Sequence, residues 1–280
     1  MVPDPDVAAR AVYIGMSAKI RQALRELYQG NPVLSITGWL HWILALALVV
    51  LVPLDSRSIL GINPWIKPIK FSVSIAIYVW TLAWYLRYLS GRRRAIKLLS
   101  WGVAFTMVAE ITLITLQSAR GVPSHFNVAT PLDATLFAVM GSIIGLNTLL
   151  LMWVTVLFFV DRPELPAAYL WGIRFGLLVF LLASFEGVLM VIHGSHTVGA
   201  EDGGAGLRFI NWSRQHGDLR VAHFVGMHAL QVLPFAGYWI SRSRSPERAK
   251  VAFTAVMFLV YLGIMASLFW MAWLGRPLPL

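Results

Sequence analysis

Apolar residues run through this chain in seven blocks, at about 33–53, 69–89, 96–117, 134–160, 167–192, 219–240 and 251–273. Each is close to the roughly 20 residues that a helix needs to cross a bilayer. The pattern predicts an all-α fold: a seven-transmembrane-helix bundle over residues 32–280. Connections are short except for one of about 25 residues, at about 193–218, between the fifth and sixth runs. Ahead of the first run, Tyr13, Met16, Ile20, Leu24 and Leu27 recur at three- and four-residue spacing. Arg10, Lys19, Arg21 and Arg25 lie between them. Residues 1–31 are therefore expected to form a cytoplasmic amphipathic helix, lying on an anionic membrane surface or docked on the bundle's ends.

Composition agrees with a membrane setting. Of 280 residues, 58% are hydrophobic and 13% charged, with mean hydropathy +0.69. A soluble domain carries about 25% charged residues. The net charge of +10 could point to nucleic acid, but the cations cluster in short loops, which fits membrane orientation instead. No nucleic-acid partner is expected. Cysteine is absent, which excludes disulfides, thiolate metal sites and cysteine nucleophiles. The opening MVPDPDVAAR has no secretory signal pattern.

The basic clusters set an orientation. Arg92–Arg94 with Lys97 follow the second run, and Arg242, Arg244, Arg248 and Lys250 follow the sixth. With the basic N-terminal segment, these share one side of a seven-span chain, which the positive-inside bias makes cytoplasmic. The expected place is a plasma (bacterial inner) membrane, with the N-terminus inside and the C-terminus outside. The sparse loop after the fourth run, with Arg162 beside Asp161, is compatible. Lys67, Lys70, Arg208, Arg214 and Arg220 fall outside, mildly against the bias.

Polar residues inside the apolar runs carry the functional signal, since a charge at mid-bilayer costs roughly 2.5–3.5 kcal/mol on insertion scales. Residues three, four or seven apart share a helix face. Lys67, Lys70, Ser74, Tyr78, Thr81 and Tyr85 form one such line in the second run. Thr106, Glu110 and Gln117 form another in the third, and Glu186, Met190 and His193 in the fifth. Arg220, His223, Met227 and Gln231 form a line in the sixth, with His228 a quarter-turn away. Lipid offers these groups no partner, so the four stripes should face one another. Glu110, Glu186 and His223 should lie in the outer half of the membrane, beneath the long connection, and His41 and His228 near its midplane.

Three functional classes follow. The leading reading is a redox-active metal or haem protein. His223, His228, Glu186 and His193 would hold copper, iron or zinc, or His41 and His228 would hold a haem b. Glu110, Glu186 and Gln117 would then be the catalytic or proton-transfer groups. The alternative is a proton-coupled transporter or ligand-binding receptor using the same cavity. In that case Lys67, Lys70 and Arg220 would attract an anionic or lipid-soluble small molecule. The third is a structural subunit whose polar stripes only hold helices together. The seventh run lacks a lysine for a retinal Schiff base and the HxxxH pair of membrane zinc hydrolases.

Other features read structurally. Gly141 with Gly145, and Gly172 with Gly176, are small-xxx-small pairs that predict close helix packing. Trp65, in the turn Asn63–Pro68, is expected to anchor at the head groups. Asp218 is expected to cap the sixth span, and the six-glycine loop before it is either a lid or a plain connection.

Overall fold

The computed structural model describes residues 5–89, 91–161 and 163–279, with side chains from residue 18 onward. The side chains of Arg10, Tyr13 and Met16, and all of Arg162, lie outside the described residues. Eight helices form: α1 (Pro5–Gly30), α2 (Pro32–Leu51), α3 (Ile66–Leu86), α4 (Arg93–Arg120), α5 (Pro131–Val160), α6 (Ala167–His193), α7 (Leu219–Ser241) and α8 (Glu247–Trp273). Between α6 and α7, the two-residue strands β1 (Thr197–Val198) and β2 (Gly217–Asp218) pair antiparallel.

Local chemistry explains the helix ends. Asn31 precedes Pro32 and accepts from the Leu34 amide, and Thr130 precedes Pro131 and accepts from the Asp133 amide. A capping oxygen followed by a proline at the first helical position starts each helix. Asp218 caps α7 as expected, accepting from the Arg220 amide. Gly121 closes α4 in the left-handed region at φ 76°, a conformation that glycine adopts without cost.

Helices α2 to α8 run alternately up and down. The ends of α3, α5 and α7 and the starts of α4, α6 and α8 share one end of the bundle with the end of α1. There Glu26 pairs with Arg87 at 3.2 Å and Asp161 with Arg92 at 2.7 Å. The opposite end carries the long connection and is called the loop end here. Helix α1 docks through Leu27, which is buried, while Lys19, Ile20, Arg21 and Arg25 are exposed.

The chain is a helical protein built for a membrane: six of its helices, α2 to α6 and α8, are long and apolar enough to cross one. Helix α7 falls short in apolarity rather than length, because its 23 residues include Arg220, His223, His228 and Gln231. It lies between α6 and α8 and packs most closely on α6. Broad apolar faces of α5 and α8 point outward, including Leu149, Val156, Leu259 and Val260.

The glycine pairs behave differently from each other. A side chain on Gly172 would meet the Leu233 carbonyl oxygen at 2.6 Å, and one on Gly176 the Ala229 carbonyl oxygen at 2.8 Å. These glycines let α6 and α7 approach backbone to backbone. Gly141 and Gly145 meet nothing within 4 Å, so the expected close packing at that pair does not occur. Their face of α5 points away from the bundle. Trp65 also corrects its expectation: it is buried and donates through Nε1 to Asp55 at 2.9 Å, bracing the turn instead of reaching for head groups.

Candidate functional site

The long connection is bound down over the loop end. Asp218 accepts from the Ser213 amide at 2.8 Å while pairing with Arg220 at 2.6 Å. Arg220 also donates to the Asn211 carbonyl, and Asn211 donates to the Leu60 carbonyl at 3.2 Å. Lys70 of α3 donates to the Ile210 carbonyl at 3.0 Å. Asp202 accepts from the Thr197 amide at 2.9 Å and lies 3.0 Å from His196 Nδ1. This hydrogen-bonded cover contains a small solvent-open cleft lined by His196, Asn211, Ser213, His216 and Arg220 among others.

Beneath it, Lys67 turns inward from the first turn of α3. Its ammonium lies 3.2 Å from His125 Nδ1, and Ser124 Oγ lies 3.0 Å from the same nitrogen. While Lys67 is charged its ammonium can only donate, and Nδ1 then accepts with the ring proton on Nε2. Burial, and then the Lys67 charge, hold His125 well below the usual histidine range. His196 is held down at about 4, first by burial and then by the Arg220 charge. The fields of Lys70, Arg220, Glu110 and Asp202 all reach Lys67, and those of His196 and His223 reach His125. Lys67, Lys70, Glu110, His125, His196, His223 and Arg220 therefore form one electrostatic neighbourhood, drawn from α3, α4, α7 and two connections.

The carboxylates sit deeper. Glu110 is 2% exposed on α4, and its Oε2 has no hydrogen-bond partner among the described residues. Glu186 is 4% exposed on α6, and neither of its oxygens has one. His223 donates from Nδ1 to the Ala183 carbonyl of α6 at 2.9 Å, which leaves Nε2 as its acceptor. Its ring lies directly beside Gly187, next to Glu186 in sequence.

The expected metal set does not assemble. Among the described residues, no group of three or more His, Asp and Glu is placed to hold a metal ion. His193 is exposed at the end of α6, with Ser195 Oγ at 2.9 Å and Trp273 beside it. His228 donates to the Phe224 carbonyl and stacks on the Phe224 ring at 4.1 Å. His41 is buried on α2 and donates to the Thr37 carbonyl at 2.7 Å. Helix α2 packs chiefly on α3, α4 and α1, so His41 and His228 belong to different interfaces. Gln117 is also apart from Glu110's surroundings: it donates to Asp133 at 3.1 Å and accepts from Arg120, joining α4 to the start of α5.

The polar stripe of α4 is buried as expected, with Thr106, Glu110 and Gln117 all inside. That of α3 is split. Tyr78 and Tyr85 are buried, Lys67, Lys70 and Thr81 are half-buried, and Ser74 is exposed.

Two residues escaped the sequence reading. His125 sits in the connection between α4 and α5, where no periodicity marks it. Asn147 of α5 exchanges hydrogen bonds with Tyr78 at 3.0 Å and accepts from Thr106 at 3.2 Å, joining α3, α4 and α5. Among the scattered Ser142, Thr148 and Thr155 of the same run it forms no stripe at helical spacing that would announce it. Compared with protein-family models, curated proteins and solved structures, the chain matches none.

Proposed function

We propose that the chain is a seven-span plasma-membrane protein, with its N-terminus cytoplasmic and its loop end outside, that couples proton movement to the uptake or release of a small anionic molecule. The single observation that carries this is Glu186: a carboxyl group inside an apolar helix whose two oxygens have no hydrogen-bond partner among the described residues. Buried polar groups kept for structure are hydrogen-bonded. A proton can join or leave Glu186 without breaking any such bond. Glu110, under the Lys67 ammonium, is the second proton-exchanging group. Lys67 and Lys70 supply the attraction for an anion. They make no ion pair among the described residues, whereas Arg57, Arg120 and Arg220 each pair with an aspartate.

That pairing also supports the orientation. Acids pair with Arg57, Arg120 and Arg220 at the loop end, which leaves Arg208, Arg214 and Arg276 exposed there, against Arg93, Arg94, Lys97, Arg244 and Arg248 exposed at the other end. Counting α7 as the seventh span follows from its place between α6 and α8 and its length, about 34 Å at 1.5 Å per residue. A redox centre on the same residues would need His193, His223, His228 and Glu186 to converge, whereas His193 is exposed beside Trp273 and His228 lies on Phe224.

The test is reconstitution into liposomes loaded with a pH-sensitive dye. A proton gradient, or an added pool of small organic anions, should give a flux that Glu186→Gln abolishes and Lys67→Gln weakens. Glutamine keeps the volume and removes the exchangeable proton. Equal flux in wild type and Glu186→Gln would overturn the proposal.

A further inference from the structure

The connection between α6 and α7 has two parts of unequal firmness. Its base is the β1–β2 pair, where Thr197, Gly217 and Asp218 are buried. Leu219, just beyond, is fully buried in a cluster with Met190 of α6 and Ala272 of α8. Gly217 lies so close to α8 that a side chain on it would run into the Ala272 carbonyl. Residues 199–216 differ: not one of them is buried, and Phe209 is 72% exposed. This stretch is nevertheless ordered within itself. The Leu207 amide donates to the Trp212 carbonyl at 2.9 Å, the Asn211 amide to Leu207 at 2.8 Å and the Arg214 amide to Ala205 at 3.0 Å. Local opening costs least where few apolar contacts are buried. A segment with internal bonds and no share in the core opens as one piece.

Polar fasteners hold it to the bundle. Close to the base, Asp202 binds the Thr197 amide and His196, and the Ser213 amide donates to Asp218. Farther out, Asn211 donates to the Leu60 carbonyl at 3.2 Å, Arg220 donates to the Asn211 carbonyl, and Lys70 donates to the Ile210 carbonyl at 3.0 Å. Arg220 is already committed to Asp218 through two bonds. Lys70 has no ion-pair partner among the described residues, so its charge is met by a carbonyl dipole. An anion at Lys70 would offer a full charge in place of that dipole, and bonds between two ionised groups are the stronger ones. The backbone supplies a hinge, since Gly199 leaves β1 at φ 94°, a conformation open to glycine. Below the base, Phe126 meets His196 at 6.3 Å and His125 at 6.2 Å between ring centres, which sets the connection against the Lys67–His125 pair.

We propose that residues 199–216 are a lid hinged on β1–β2, latched by Lys70 on the Ile210 carbonyl, and opened when a small carboxylate takes Lys70 from that carbonyl. The lid rests on the proposed anion chemistry and adds its regulation: Lys70 admits the anion and Lys67, deeper, receives it. The ligand itself breaks the outermost charged fastener, so the cover stays shut until an anion arrives. Lys70 acts here through the lid, as a positioning residue.

The experiment places spin labels on Gly204→Cys in the lid and Val128→Cys in the α4–α5 connection, both exposed positions in a chain without native cysteine. Pulsed electron double resonance in nanodiscs of zwitterionic lipid reads the distance between them. The labelled protein should give one main distance, and sodium benzoate should add a longer population that sodium chloride at equal ionic strength does not. Lys70→Gln should show the longer population without benzoate, and Lys70→Arg should restore the single distance. The benzoate titration needs no change at Lys70, so it decides the matter even if Lys70→Gln fails to fold. A distribution that benzoate leaves unchanged overturns the lid. A benzoate response of full size in Lys70→Gln overturns the latch, and chloride acting as strongly as benzoate overturns the carboxylate as opener. The distance is read without a proton gradient. Lid movement with no proton flux therefore refutes the transport reading alone, and flux beneath an unmoving lid refutes the lid alone.

Discussion

The two glycine pairs make a quantitative test of the bundle. A methyl group on Gly172 would sit 2.6 Å from the Leu233 carbonyl oxygen and 2.9 Å from Pro234 Cα. Both are backbone atoms of α7, so relief requires the helices to part. Overpacking of this kind costs about 1–3 kcal/mol. Alanine returns up to about 1 kcal/mol through its better helix propensity. The net loss for Gly172→Ala is then about 1–2 kcal/mol, and Gly176→Ala, at 2.8 Å from the Ala229 carbonyl oxygen, should behave alike. At roughly 2–4 °C per kcal/mol for a large domain, the melting temperature should drop by about 2–8 °C. Gly141→Ala and Gly145→Ala meet nothing, so only the propensity gain remains and melting should rise by about 1–4 °C. The assay is tryptophan-fluorescence melting in mild detergent, with all variants at one scan rate because unfolding of such proteins is often irreversible. An unchanged Gly172→Ala beside a destabilised Gly141→Ala would refute the helix arrangement.

Three further outcomes are expected. With no native cysteine, an impermeant thiol reagent on intact cells should label Gly204→Cys in the loop and spare Ser243→Cys at the other end; the reverse would invert the topology. His196 has its folded pKa lowered to about 4 from 6.5, so the unfolded chain takes the proton first as pH falls. Its share of stability is present above about 6.5 and lost between about 6.5 and 4, and His196→Gln should flatten that part of a melting-versus-pH curve. Asn147→Ala leaves Tyr78 and Thr106 without their shared partner, and should cost about 1–3 kcal/mol; a melting point equal to wild type would show the three-helix node to be idle.

The helices were legible because their causes are local. Apolar runs of span length, Asn31 and Thr130 before prolines, Asp218 before Leu219, and the closing Gly121 each announce an element through its own residues. What a helix meets on each face is not local. Periodicity placed Lys67, Lys70 and Ser74 on one line, but only the rotation of α3 relative to α7 decides that Lys67 points inward while Ser74 stays exposed. The same ignorance put His193 and His228 into a metal set, although one lies beside Trp273 and the other on Phe224. Gly141 and Gly145 carry the spacing of a packing motif on a face that nothing in the described chain covers. Trp65 was read by its residue type, and a neighbouring aspartate ten residues earlier claimed its indole nitrogen.

The contrast among buried acids separates structural from functional use. Asp133 shows how this chain satisfies a carboxylate that it needs for architecture: Thr130, Gln117 and Arg120 all donate to it, and its own amide returns a bond to Thr130. Asp218 is treated the same way by Ser213 and Arg220. Both stand at helix starts, where donors are plentiful. Glu186 stands about two turns inside the end of α6, in a helix that α7 approaches backbone to backbone, closely enough to have supplied a donor. His223 is near, yet it spends its Nδ1 proton on the Ala183 carbonyl one turn below Glu186. A chain selected only for helix packing gains nothing from an acid at that place, since leucine would fill it without desolvating a carboxyl group. Retaining a carboxyl with no hydrogen-bond partner among the described residues makes sense if its proton is what the protein uses, and this is why Glu186→Gln, which changes little else, is the most direct question to put to the molecule.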